Sequence, residues 1–181
     1  MNYKTLTIQM KNIFDKFHIT DEEFIMLDKK YSKLCKWQVW RLVKRFPSRS
    51  VEFEDMEQEI FIALLHAGSH YKRQTYIESC FEVLSENGFY EDVRPLEERW
   101  KADKRRFTHK HERTLEFLVS KLPEGKKPDK GRRLVIDKVF DIYCRQITFN
   151  KKKQLCKKIN KDNIIRMNSV SLEDCGYLLC G

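Results

Sequence analysis

The chain has 181 residues, of which 35% are charged and 41% hydrophobic, and its formal net charge is +9. This composition excludes a chain that is disordered throughout, and the length suits one packed domain with an appendage. No apolar run approaches the roughly 20 residues that span a bilayer, and the N-terminal residues lack a signal-peptide core, so we expect a cytoplasmic protein.

Charge is distributed unevenly along the chain. Residues 51–98 contain 12 acidic and 3 basic residues, whereas residues 99–161 contain 21 basic and 7 acidic residues. This division indicates two surfaces with different partners, of which the basic one is suited to nucleic acid phosphates through counterion release. The alternative for such a run of charge is a solvated helix face.

The first predicted helix begins at residues 20–23, where the sequence Thr-Asp-Glu-Glu forms a capping box. Ile19 and Phe24 flank this box as a hydrophobic staple. Apolar residues then recur at three- and four-residue steps as far as Val43, and Pro47 is the predicted stop.

Four further helices are predicted from apolar periodicity and from glycine and proline positions. They cover residues 53–67 with Gly68 as the stop, residues 74–85 ended by Asn87 and Gly88, residues 95–122 with Pro95 in the first turn, and residues 132–158. Residues 123–131 are predicted to form an exposed loop. Because nothing indicates strands, the predicted fold class is all-α.

Histidine and cysteine spacings indicate no metal site. His66 and His70 are four residues apart and His109 and His111 two apart, but no acidic or cysteine motif accompanies them, and the six cysteines include no C-x-x-C pair. A glycine-rich phosphate loop and a nucleophile elbow are also missing, so we expect neither a cofactor nor an enzyme. The three tryptophans, Trp37, Trp40 and Trp100, are expected in the core or an interface rather than as platforms for bases.

A polar face is predicted at the start of the second helix. Asp55, Gln58 and Glu59 offer hydrogen-bond acceptors suited to arginines of a partner helix, beside apolar Ile62 and Leu65. The alternative is a solvated first turn, where acidic residues also favour the helix dipole.

The order of residue types in residues 55–67 resembles the most recognisable helix of region two in the sigma-70 family of transcription initiation factors. In that family this helix docks on the clamp helices of core RNA polymerase. The resemblance implies a helical bundle of the region-two type, and it implies that Asp55, Gln58, Glu59, Ile62 and Leu65 contact core polymerase.

A second resemblance lies in the last predicted helix. Phe140-x-x-Tyr143-x-x-x-Ile147-x-x-Asn150 is similar to the helix that melts and reads the minus-ten promoter element in the compact, extracytoplasmic-function branch of the family. Duplex opening requires aromatic surfaces for unstacked bases and cations for the separated backbones. For Phe140 and Ile147 we expect ordinary core positions, and for Tyr143 either role is open. The predicted DNA-binding residues are Tyr143, Phe149, Asn150, Lys151, Lys152, Lys153, Lys157 and Lys158.

Two features depart from the family pattern. About seventy residues separate the two helices, so the predicted organisation is N-terminal helices at 1–70, a charged helical insertion at 71–131, a basic DNA-reading helix at 132–161 and a tail at 162–181. A shorter register would place the DNA-reading helix at residues 76–81, as in phage late sigma factors, but acidic Glu82 and Glu86 follow it and a phosphate-facing surface should avoid them.

The tail is the second departure. Within it, residues 169–174 are similar to the V-S-L-acidic segment of sigma factors, and the seven residues that follow them are too few for the domain that reads the minus-thirty-five element. Tyr177, Leu178 and Leu179 are candidates for contact with the polymerase flap or an accessory transcription factor, and a frayed tail is the alternative.

The sequence therefore predicts a promoter-specificity factor, of the short form that phages encode, with core RNA polymerase and promoter DNA as partners. The first alternative is a basic helical adaptor or inhibitor that binds polymerase without reading promoters. The second is a metal-dependent nuclease that uses Glu57 or Glu59, for which the sequence offers no motif.

Overall fold

The computed structural model describes residues 17–46 and 53–178, with side chains as far as residue 162 except that of Arg105. Within these residues the chain is all-α, without strands, as the sequence predicts. Two short 3₁₀ turns, Lys104–Arg106 and Glu124–Lys126, lie between helices. The helices are α1 (Asp21–Arg45), α2 (Phe53–Glu86), α3 (Tyr90–Ala102), α4 (His109–Ser120) and α5 (Lys138–Leu178).

The described residues divide into two compact units. The first, here called the groove unit, comprises residues 21–46, 53–67 and 136–178. The second, the insertion unit, comprises residues 17–20 and 68–135. Helix α2 begins in the groove unit and ends in the insertion unit, whereas α3 and α4 lie wholly in the insertion unit.

The core of the groove unit is built by α1, the first half of α2 and α5. Apolar residues at steps of three and four form one stripe on α1, which packs against α5. The Tyr31 hydroxyl donates to Oδ1 of Asp141 at 2.9 Å, and Nε of Arg145 donates to Oδ2 of the same carboxylate at 2.8 Å. The stripe consists of Leu27, Tyr31, Cys35, Val39 and Leu42. The other buried residues of this core include Ile60, Phe61 and Leu64 of α2 and Phe140, Cys144, Leu155 and Ile159 of α5.

The core of the insertion unit is centred on three aromatic rings. Trp100 and Phe107 have their ring centroids 5.1 Å apart in an edge-to-face arrangement, and Phe81 lies 6.1 Å from Phe107. The guanidinium of Arg73 donates to the carboxylate of Glu112 and so links α2 to α4. These contacts hold α3 and α4 against the second half of α2.

The predicted stop at Gly68 is wrong, because α2 continues unbroken from Phe53 to Glu86 and includes the separately predicted helix at residues 74–85. Ala67 and Ser69 on either side of the glycine are buried. A glycine inside a helix costs only about 1 kcal/mol relative to alanine, so burial of its neighbours outweighs it. The second predicted stop is confirmed: Gly88 has φ 88°, and Phe89 donates its backbone N–H to the carbonyl of Leu84 at 3.0 Å.

The single helix predicted over residues 95–122 is also wrong. Helix α3 begins at Tyr90, so that Pro95 lies inside it rather than in its first turn, and residues 103–108 separate α3 from α4. The break turns Phe107 into the core beside Trp100. A new helix start follows at Thr108, whose backbone N–H donates to Nδ1 of His111 at 3.0 Å in the manner of a capping box.

Helix α5 begins six residues later and ends twenty residues later than predicted. Asp137 caps it by accepting the backbone N–H of Phe140 at 2.7 Å. The helix extends to Leu178 and includes residues 169–174, whose side chains lie outside the described ones, as do those of Tyr177 and Leu178. Pro47 and Leu179 lie outside the described residues altogether, and α1 ends at Arg45.

Candidate nucleic-acid interface

Two helix segments in the groove unit carry positive charge without any acidic residue. In α1, the residues after Asp28 include seven lysines and arginines as far as Arg45 and no aspartate or glutamate. In α5, residues 142–161 also include seven basic residues and no acidic one. Because α1 packs against α5, two cationic segments lie side by side.

A groove of about 610 Å³ lies between these segments. Five of its lining residues are cations, and no lining residue is acidic. A polyanion that enters the groove therefore meets positive charge from both helices, which is the electrostatic requirement for binding a nucleic acid backbone. The lining residues are Arg41, Leu42 and Arg45 of α1 and Phe149, Lys152, Lys153, Cys156 and Lys157 of α5.

Two of the groove cations lie close to its aromatic ring. The ammonium groups of Lys152 and Lys153 each lie 4.6 Å from the centroid of the Phe149 ring. Such contacts place a cation at the face of the ring. The groove thus combines a ring on which a base can stack with charges that bind phosphates, as proteins that hold single strands do.

Lys152 has the least favourable electrostatic position in the groove. Burial lowers its pKa below the ordinary lysine value, and the charges of Arg41, Lys153 and Arg45 lower the pKa further. This lysine is partly buried among like charges, and a bound phosphate would offset the repulsion and raise its pKa again. Lys152 is therefore a candidate contact for a bound phosphate.

The structure divides the predicted DNA-binding residues of α5 into three groups. Phe149, Lys152, Lys153 and Lys157 line the groove. Lys151 and Lys158 instead pair with Glu59 of α2, at 2.9 and 3.8 Å. The third group, Tyr143 and Asn150, lies outside the groove lining. Tyr143 is partly buried, and this burial raises its pKa. Asn150 is exposed and accepts a hydrogen bond from the side-chain amide of Gln146 at 3.3 Å.

The predicted polymerase-binding face is mostly accessible. The side chain of Asp55 is exposed, and those of Gln58, Glu59 and Ile62 are partly exposed. Leu65 is the exception, because it is 0% exposed and belongs to the core of the groove unit, so its predicted contact with a partner is wrong. The described face therefore consists of four residues.

The alternative register for DNA reading falls on core residues. Tyr76, Ile77, Cys80 and Phe81 are all buried in the insertion unit. A ring that packs in a core is not accessible to a base. Residues 76–81 therefore offer no aromatic surface to nucleic acid, whereas Phe149 does.

Sequence reasoning missed two of the groove cations, Arg41 and Arg45. They precede Phe149 by more than a hundred positions, and only the packing of α1 on α5 brings them to the same groove. The signal available in the sequence was the absence of acidic residues after Asp28, which marks a cationic end of α1.

The described residues contain no group of three or more histidine, cysteine, aspartate or glutamate side chains that could hold a metal ion. His70 has its pKa lowered, first by burial and then by the charge of Arg73. His111 takes part in the cap of α4. Among the described helices, none is long and apolar enough to cross a membrane.

Comparisons with protein-family models, with curated proteins and with solved structures find no match to this chain.

Proposed function

We propose that this chain is a transcription initiation factor of the sigma-70 type, which binds core RNA polymerase and holds melted promoter DNA. The observation that carries the proposal is the groove between α1 and α5, with its five cations, its aromatic ring and no lining carboxylate. The resemblance of residues 55–67 and 140–150 to the two helices of sigma region two supplies the identity of the partners.

The groove is suited to one strand of an opened duplex. Separation of the strands exposes base faces, and the Phe149 ring offers a surface on which a base can stack. The cations that line the groove beside this ring bind the phosphates of the same strand and so oppose reannealing. Tyr143 and Asn150, which precede Lys152 on α5 by nine and two residues, remain candidates for contacts to promoter bases.

Polymerase docking is assigned to the accessible part of the α2 face. Asp55 is exposed, and Gln58 and Ile62 continue the face along the helix. Glu59 pairs with Lys151 and Lys158, but its side chain is 41% exposed. Ion pairs at such exposure contribute roughly 0.2–1 kcal/mol, so an arginine of the partner can replace these lysines at small cost.

Reconstituted transcription tests the proposal. Bacterial core polymerase is incubated with pooled genomic templates and with the chain, and the transcripts are mapped to their start sites. We expect recurrent start sites only when the chain is present. A double variant of the groove, Lys153→Gln with Lys157→Gln, should abolish them, whereas Lys110→Gln on exposed α4 should not. Start sites that are the same with and without the chain would refute the proposal.

One observation favours a second candidate, a polymerase-binding adaptor that does not read promoters. Glu59 of the docking face contacts two of the lysines assigned to DNA, so a partner that engages Glu59 would lie against those lysines. An adaptor would compete with a host sigma factor for core polymerase yet yield no transcripts of its own. Competition without recurrent start sites would therefore select this candidate.

A further inference from the structure

Two tryptophans of α1 are exposed to solvent, which excludes a core position for them but leaves the expected interface position open. Trp37 is 49% exposed and Trp40 is 53% exposed, whereas Trp100 of the insertion unit is 2% exposed. Exposed indole rings leave a large apolar area in water, which is unfavourable relative to burial. Two of them within four residues therefore indicate a surface that a ligand covers.

Each indole ring is accompanied by a cation one turn further along the helix. The guanidinium of Arg41 lies 4.9 Å from the centroid of the Trp37 ring, and the ammonium of Lys44 lies 5.1 Å from that of the Trp40 ring. An aromatic face beside a cation repeats the arrangement of Phe149 with its two lysines in the groove. This arrangement matches the alternation of base and phosphate along a nucleic acid strand.

The indole ring of Trp37 adjoins the groove. Arg41 contacts Trp37 and also lines the groove, as does Arg45 one turn further on. A strand whose phosphates are bound in the groove therefore finds the next aromatic surface beside the same arginine. Trp37 and Trp40 are three residues apart, which is about 4.5 Å along the helix axis.

We propose that single-stranded nucleic acid continues from the groove along α1, with bases stacked on Trp37 and Trp40 and phosphates bound by the groove arginines Arg41 and Arg45. The inference rests on the proposed function in one respect, namely that the ligand of the groove is nucleic acid. It adds a second stacking surface for that strand, on α1 beyond the groove, because only unpaired bases expose the faces that the indoles require.

Tryptophan fluorescence tests the inference with the full chain and without polymerase. The probes are a 12-nucleotide oligo(dT), the same length of oligo(rU), a blunt DNA duplex and inorganic polyphosphate, which has charge but no bases. We expect oligo(dT) or oligo(rU) to quench the emission of the exposed tryptophans. Polyphosphate should bind in the groove without comparable quenching, and the duplex should bind more weakly than the single strands.

Substitution of the indoles separates stacking from charge. Trp37→Leu and Trp40→Leu should each weaken oligo(dT) binding by about tenfold, since stacking of a base on an aromatic side chain is worth roughly 1–3 kcal/mol. Affinity for polyphosphate should not change. Phe117→Leu is the matched control, because Phe117 is an exposed ring that also lies beside a lysine, Lys121, at 4.7 Å but belongs to α4.

Conservative variants distinguish the loss of a stacking ring from the loss of the fold. Trp37→Phe and Trp40→Phe retain a ring and should lose less affinity than the leucine variants while the helical circular dichroism signal stays the same. Unchanged oligo(dT) affinity in both leucine variants would overturn the inference and leave the proposed function intact. If the wild-type chain binds no nucleic acid probe at all, the assignment of the groove itself fails, and with it the proposed function.

Discussion

The salt dependence of oligonucleotide binding is fixed by the number of groove cations that neutralise phosphates. Five cations line the groove, and each is expected to take one phosphate. For single strands the logarithm of affinity falls with the logarithm of salt concentration by about 0.7 per neutralised phosphate, which gives a slope of about −3.5. Between 50 and 200 mM salt the affinity should then fall roughly 100-fold.

Removal of two cations changes this slope by a predictable amount. The double variant Lys153→Gln with Lys157→Gln leaves three cations in the groove. The slope should become about −2.1, and the same increase in salt should weaken binding only roughly 20-fold. Fluorescence anisotropy of a labelled oligo(dT), titrated at several salt concentrations, measures both slopes.

The control for this experiment is Lys110→Gln, which removes an exposed charge from α4 in the insertion unit. Its slope should equal that of the wild-type chain, because Lys110 does not line the groove. Equal slopes for the wild-type chain and the double groove variant would refute the reasoning, since the phosphates would then be bound elsewhere.

Three further predictions concern individual side chains of the groove unit. Lys152→Met should raise the unfolding temperature by roughly 1–4 °C, because a lysine whose pKa is lowered by burial and like charges opposes folding. The same substitution should weaken oligo(dT) binding. A lower unfolding temperature would contradict this prediction. Glu59→Gln should strengthen oligo(dT) binding two- to fivefold, because it frees Lys151 and Lys158 from their ion pairs with Glu59. An exposed ion pair is worth roughly 0.2–1 kcal/mol. Unchanged affinity for oligo(dT) would show that these lysines do not face the strand. Asp141 has a lowered pKa, so its ionised form stabilises the fold above the ordinary value of 3.8, and this stabilisation is lost as pH falls below that value. Urea unfolding of Asp141→Asn should therefore show a lower free energy of unfolding than the wild-type chain at neutral pH, and the difference should disappear in acid. A difference that does not depend on pH would contradict the stabilising role of the ionised carboxylate.

Local signals predicted the helices whose ends depend on local chemistry. The start of α1 follows from its capping box, and the end of α2 follows from Gly88, whose positive φ suits a helix terminus. The helix end predicted at Gly68 was wrong, because a glycine flanked by buried residues does not end a helix. The break after Ala102 was missed because Trp100 and Phe107 are seven residues apart, a spacing that one continuous helix would also produce.

The sequence predicted the part of the candidate site that lies on α5. The lysines of α5 stand in a local run, and Phe149 precedes them directly. Arg41 and Arg45 come from α1, and no local pattern indicates which face of α1 packs on α5. Leu65 was placed on the docking face by its spacing from Ile62, but packing of three helices decides burial, and it buries Leu65 completely.

Permanganate reactivity of promoter thymines tests the proposed function most directly, because permanganate oxidises thymines that are unpaired. The template is one on which the chain and core polymerase produce a recurrent start site. With the wild-type chain we expect a cluster of reactive thymines next to that site, which core polymerase alone does not produce. The cluster should persist with Lys110→Gln and disappear with Lys153→Gln and Lys157→Gln combined. Thymines that stay unreactive with the wild-type chain, or react equally with the groove variant, would contradict the role assigned to the groove between α1 and α5.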